Sequence, residues 1–114
     1  MADIIPQDIV STGLNPVYAA VTASDRFINN PRTFLHVKNG GGVATVVSST
    51  AVIPTSTIAE LGTVTIADIS ISIAASGERM VFFPPRAFSP AGRVVVGFAP
   101  IASVTAGVFR VPRI

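Results

Sequence analysis

The amino-acid sequence predicts an all-β fold: a single domain built as a β-sandwich or jelly roll of about seven to eight short antiparallel strands. Three observations carry that expectation. Val occurs 16 times and Ile 12 times against 3 Leu, and such β-branched side chains suit a pleated strand better than a helix. Apolar and polar residues alternate with a period of two, in runs that recur roughly every ten residues between turn formers. No segment sustains a 3.6-residue period long enough for a helix.

The expected strands follow in order. A weak run covers residues 8–12 and a second covers 17–21. In 32–38, Leu35 and Val37 share one face while Phe34, His36 and Lys38 share the other. That strand ends at "NGGG". Asn39-Gly40 between alternating runs signals a two-residue hairpin turn with positive φ, and Gly41-Gly42 leaves room for a bulge or a close backbone. A phosphate-cradling loop would need its Lys and a hydroxyl residue after the last Gly, at the start of a helix. Here Lys38 precedes the glycines and "VATVVSST" follows as a strand, so the stretch is a corner.

The next strand is read over 43–53, and "STIAELG" as one helical turn capped by Ser56 and stopped by Gly62. Within 63–73, Val64 and Ile66 share a face, and Ile69, Ile71 and Ile73 share a face one residue out of phase. A bulge or strand break is therefore expected at Ala67–Asp68, with Ser70 and Ser72 turned away from the isoleucines. Strands over 77–83, 93–98 and 103–111 complete the domain, with a stiff, turn-rich loop starting at Pro84–Pro85. The ends, 1–8 and 110–114, are expected to be extended arms that become ordered on a partner.

Composition narrows the function. Charged residues make up 12% of the chain, about half of what is usual, while 49% are hydrophobic and mean hydropathy is +0.63. A 114-residue domain has too much surface for its volume to hide all of this internally. The chain is therefore either a membrane protein or a subunit covered by neighbours. The uncharged stretch 94–109 is 16 residues, short of the ~20 that span a bilayer, and Gly97, Pro100 and Gly107 interrupt it. The start, "MADIIPQDIV", has no basic n-region or apolar h-region, so cytoplasmic synthesis without membrane association is expected. With no Cys, disulfides, thiolate metal sites and thiol nucleophiles are all excluded.

Nothing in the sequence announces catalysis. His36 is the single His, the six acids are scattered without a metal-loop spacing, and no Ser lies in a nucleophile elbow. The expectation is a non-enzyme without cofactor or metal. The charge distribution is more informative: residues 1–78 hold six acids and three bases, whereas 79–114 hold five Arg and no acid. Arg suits bidentate carboxylate pairing at interfaces. Arg79, Arg86, Arg93, Arg110 and Arg113 are therefore the candidate partner-interface residues, together with Phe82 and Phe83. These two aromatics are adjacent on a strand, so if one fills the core the other meets a loop or a second subunit. A net charge of +2 and a single Lys argue against nucleic acid as a partner.

At these residues the sequence resembles a class of small tailed-phage virion proteins, the head decoration or cement proteins encoded beside the major capsid protein. "RTFLHVKNGGG", "SGERMVFFPPRAF", "GRVVVGF" and "SVTAGVFRV" carry the similarity, which runs from about Ile9 to Val111 as a pattern of strands and turns. The resemblance implies a β-sandwich or jelly roll on the outer surface of the phage head. It implies the major capsid protein and further copies of itself as partners, a homotrimer being favoured over a dimer. No family binding residues carry over. Two alternatives stay open: a head–tail joining or tail subunit, and a β-sandwich module that binds carbohydrate or protein. Absence of Trp and a single Tyr disfavour a sugar platform.

Overall fold

The computed structural model describes residues 2–50, 55–65, 67–84, 88 and 92–112. Its strands are β1 (Ala2–Asp3), β2 (Pro6–Asp8), β3 (Ala19–Ala20), β4 (Ser24–Ile28), β5 (Thr33–Asn39), β6 (Thr45–Ser49), β7 (Thr55–Ile58), β8 (Gly62–Thr65), β9 (Ile69–Ile73), β10 (Glu78–Val81), β11 (Arg93–Ala99) and β12 (Val104–Arg110). One sheet, A, has the order β1-β4-β11-β6-β9, and the second, B, has the order β10-β5-β12-β2 with β3 also on β12. β7 and β8 pair with each other as a separate hairpin.

The all-β expectation holds, and the topology is that of a jelly roll. The chain runs as one long antiparallel ribbon doubled back on itself: β3 pairs with β12, β4 with β11, β5 with β10 and β6 with β9. Wrapping that ribbon puts successive pairs in opposite sheets, joined within the sheets by β5·β12 and β6·β11. The period-two pattern decides which side chains lie between the sheets. Along β11, Val94, Val96 and Phe98 are buried while Arg93 and Val95 face out. Phe27, Leu35, Val47, Ile73 and Val108 fill the same core from the other strands, and Phe83 from the segment just after β10. Each such side chain contributes roughly 1.5–3 kcal/mol by leaving water.

Several sequence expectations are corrected. The Asn39-Gly40 stretch is a corner but not a hairpin, because β5 lies in sheet B and β6 in sheet A. Asn39 itself builds the crossover. Its side-chain amide donates to the carbonyls of Val43 (2.8 Å) and Ile73 (3.1 Å), and its carbonyl accepts from the Gly41 N–H (3.0 Å). Gly41 is needed for close approach, since a Cβ there would lie 3.0 Å from the Ala102 carbonyl oxygen. "STIAELG" is not a helical turn: β7 and β8 flank a turn in which Glu60 takes a positive φ of 69°, and Gly62, the first residue of β8, one of 92°. One isolated turn cannot offset the cost of helix nucleation, and the β-branched residues flanking this one pair as strands instead.

The expected break at Ala67–Asp68 is present between β8 and β9, with Ser70 and Ser72 exposed and Ile73 buried. β4 escaped the sequence reading because Asp25 and Arg26 interrupt its apolar alternation. Asp25 is nevertheless buried, accepting from the Thr22 backbone N–H at 3.0 Å and from the Thr22 hydroxyl.

The N-terminal segment is not a free arm. β1 pairs in parallel with β4, and β2 pairs in parallel with β12, so residues 2–8 strap the two sheets together along one side. Edge N–H and C=O groups on both sheets supply the ladder partners, and Ile4 packs partly into the core. At the other end, the Val111 N–H bonds the Arg32 carbonyl at 2.9 Å, while 113–114 lie outside the described residues.

Candidate interaction surface

The outward face of sheet B departs from the usual polar exterior. Its register places Met80 beside His36 and His36 beside Gly107, with Phe34 beside Phe109. The segment after β2 returns across this face and brings Tyr18 onto it. Gln7 holds that return, donating from Nε2 to the Val17 carbonyl (2.8 Å) and accepting the Val17 N–H (2.9 Å). Gly107 makes the crossing possible, because a Cβ there would sit 2.9 Å from the Val17 carbonyl oxygen and 3.0 Å from the Phe109 ring.

The result is an aromatic cluster centred on Phe109, whose ring centroid lies 5.7 Å from Tyr18, 5.8 Å from Phe34 and 6.5 Å from His36. Lys38 Nζ stands 4.1 Å from the Tyr18 centroid. His36 is only 7% exposed, and its Nδ1 lies 2.7 Å from the Tyr18 hydroxyl. Its Nε2 faces a Glu78 carboxylate oxygen at 3.5 Å. Nε2 makes no hydrogen bond at that distance, and the direction of the Tyr18–Nδ1 bond follows the imidazole tautomer.

Beside the cluster runs a groove of about 260 Å³, lined by residues that include Leu14, Tyr18, Phe34, His36, Met80 and Phe109. Met80 is 67% exposed at its margin, and Phe82 is 49% exposed just beyond β10. The arrangement offers apolar contact area with a rim of Lys38 and Glu78. It is suited to holding another surface.

The candidate residues divide clearly. Phe83 is fully buried, with ring centroids 6.1 Å from Phe27 and 6.3 Å from Phe88, and its carbonyl accepts from Asn29 Nδ2 at 2.8 Å. Phe82 is the outward partner of that pair. Arg79 lies opposite Val37 at the open edge of sheet B and is exposed. Arg93 is exposed at the start of β11, opposite Ile28. Arg110 is engaged within the chain: its Nε donates to Asp8 Oδ1 at 2.6 Å. Arg86 and Arg113 lie outside the described residues. Among the described residues, Arg79, Arg93 and Arg110 are therefore not gathered on one face.

Charge pairing is partly internal. Arg26 holds Asp3 at 2.5 Å, as Arg110 holds Asp8. The hydrogen bond from each guanidinium keeps its carboxyl below the usual Asp range, and Asp8 in turn raises Arg110. Sequence reasoning missed the aromatic cluster, because its members come from the β2–β3 connection, β5 and β12. The one available signal was the alternation that set Phe34, His36 and Lys38 on a common face.

Among the described residues no helix is long and apolar enough to cross a membrane. No family model, curated protein or solved structure matches the chain.

Proposed function

We propose that this chain is a structural virion subunit, a decoration or cement protein. It binds the outside of a phage head, bridges major capsid proteins and works without a cofactor or a catalytic step. The observation that supports this reading best is the outward face of sheet B, where Met80 and Phe82 stand exposed beside an aromatic groove in a chain that is only 12% charged. A contiguous apolar face of this kind gains free energy by being covered.

Magnitudes favour a repetitive partner. Covering about 400 Å² of apolar surface contributes roughly 10 kcal/mol. Association itself costs about 4–15 kcal/mol, so one copy on one site binds marginally. Repetition over a symmetric shell, with copies contacting one another, turns marginal contacts into avidity. Of the candidate arginines, Arg79 and Arg93 are described and exposed, on opposite sheets, and can meet carboxylates of capsid subunits.

The test is to image particles carrying the chain and to challenge particles lacking it with heat and osmotic shock. Copies spread over the shell, and fragile particles without them, are the expected result. A ring of copies on a single axis would replace decoration with head–tail joining, and particles equally robust without the chain would remove bridging as its role.

A further inference from the structure

The two sheets have four outer edges among the described residues, and three are blunted. Sheet A ends on one side in β1, a two-residue strand, and sheet B ends in β2 and β3, of three and two residues. The opposite edge of sheet B is β10, which carries the exposed charges Glu78 and Arg79. Short or charged strands are how β proteins prevent their edges from pairing with other chains. The fourth edge, β9, has none of these devices. It is five residues long, "ISISI", without charge, Pro or Gly. Within the described residues it pairs only with β6, so alternate N–H and C=O groups along its far side carry no ladder bond.

We propose that β9 is a homodimerisation edge, at which a second copy of this chain adds its own β9 antiparallel about a two-fold axis through Ile71. The sequence of the strand selects the occupant. "ISISI" reads the same in both directions, so antiparallel self-pairing sets Ile69 against Ile73 of the second copy, Ser70 against Ser72, and Ile71 against itself. Every isoleucine then stays on the inward face and every serine on the outward face. A one-residue slip would oppose Ile to Ser and turn one strand's isoleucines into water.

Burial supports the same occupant. Ile73 is buried, but Ile69 and Ile71 are only partly covered, which is the condition of a core left open along this edge. A second β9 would cover them with isoleucines like themselves. Charge is also compatible: in this register Asp68, the nearest ionised residue before the strand, lies opposite Ala74 of the second copy, and no like charges meet. The dimer joins two copies of sheet A into one continuous sheet. Because a five-residue edge buries a small area, association is weak and concentration-dependent. It requires only a second copy, so it stands independently of the virion reading.

The absence of native cysteine makes the register directly testable. Ser70→Cys and Ser72→Cys, both at exposed positions, are prepared separately and oxidised alone or mixed. The expected result is a disulfide-linked dimer that forms far more readily in the mixture than with either variant alone, because position 70 faces position 72 across the axis. In sedimentation velocity from about 1 µM to about 1 mM, the unmodified chain should shift from monomer to dimer. Ser70→Lys/Ser72→Lys, which sets lysines against each other, should remain monomeric with an unchanged circular-dichroism spectrum. A monomer at every concentration would overturn the proposal. So would an oligomer indifferent to the two lysines, or cross-linking no better in the mixture than in the separate variants.

Discussion

Arg110 and Asp8 are 102 positions apart in sequence, yet they stand opposite one another in the β2·β12 ladder with Nε donating to Oδ1 at 2.6 Å. The pair fastens the first strand of sheet B to the last. Its partner on sheet A, Arg26 with Asp3, does the same for β1 and β4. The N-terminal strap is thus held by two arginine–carboxylate contacts, one on each sheet.

Acid should loosen that strap. Asp3 and Asp8 both have carboxyl groups held below their ordinary value in the folded chain by the hydrogen bond from Arg. A depressed acid stabilises the fold at pH above the unfolded aspartate value of about 3.9 and loses that contribution as pH falls through the lower folded value. Urea denaturation at pH 7 and below pH 4 should show the loss, and Asp3→Asn/Asp8→Asn should be less sensitive to acid over that window. An identical acid dependence in the variant would show that neither pair contributes.

Gly107→Ala should destabilise the domain by about 1–3 kcal/mol, the range for overpacking a filled site. The added Cβ meets the Val17 carbonyl oxygen at 2.9 Å and the Phe109 ring at 3.0 Å, so the return segment or the ring must move. Chemical denaturation measures the loss, and faster amide exchange around residues 17–20 would locate it.

Phe82 and Phe83 should separate fold from binding. Phe83→Ala empties a fully buried site and should cost about 3–5 kcal/mol. Phe82→Ala should stay within about 0.5 kcal/mol in denaturation. On the proposed function it should nonetheless lower occupancy on particles, as should Arg93→Glu. Full occupancy of both variants would move the contact surface elsewhere.

Asn39→Ala should cost about 1–3 kcal/mol, because the Val43 and Ile73 carbonyls and the Gly41 N–H each lose a side-chain partner. Differential scanning calorimetry would register a lower Tm. A Tm unchanged from that of the parent would mean that water replaces the amide without penalty.

Much of the fold was legible because alternation is a local property. Leu35 and Val37 against Phe34, His36 and Lys38, or the isoleucines of β9 against its serines, follow from the two-residue period wherever a strand forms. The misses arose where a local signal has two readings. Asn39-Gly40 marks a reversal, but which sheet receives the next strand depends on strands distant in sequence. Asp25 reads as a surface residue until the fold buries its carboxylate against the backbone N–H and hydroxyl of exposed Thr22.

The sequence by itself determined an all-β domain, the inward and outward faces of most strands, and the scarcity of charge on the chain. These are properties of neighbours along the chain. Only the tertiary structure decided that residues 2–8 strap both sheets, that Arg110 is spent on Asp8, and that Tyr18, His36 and Phe109 share one exterior face. Each of these joins segments far apart in sequence, and such pairings are settled when the whole ribbon closes over a common core.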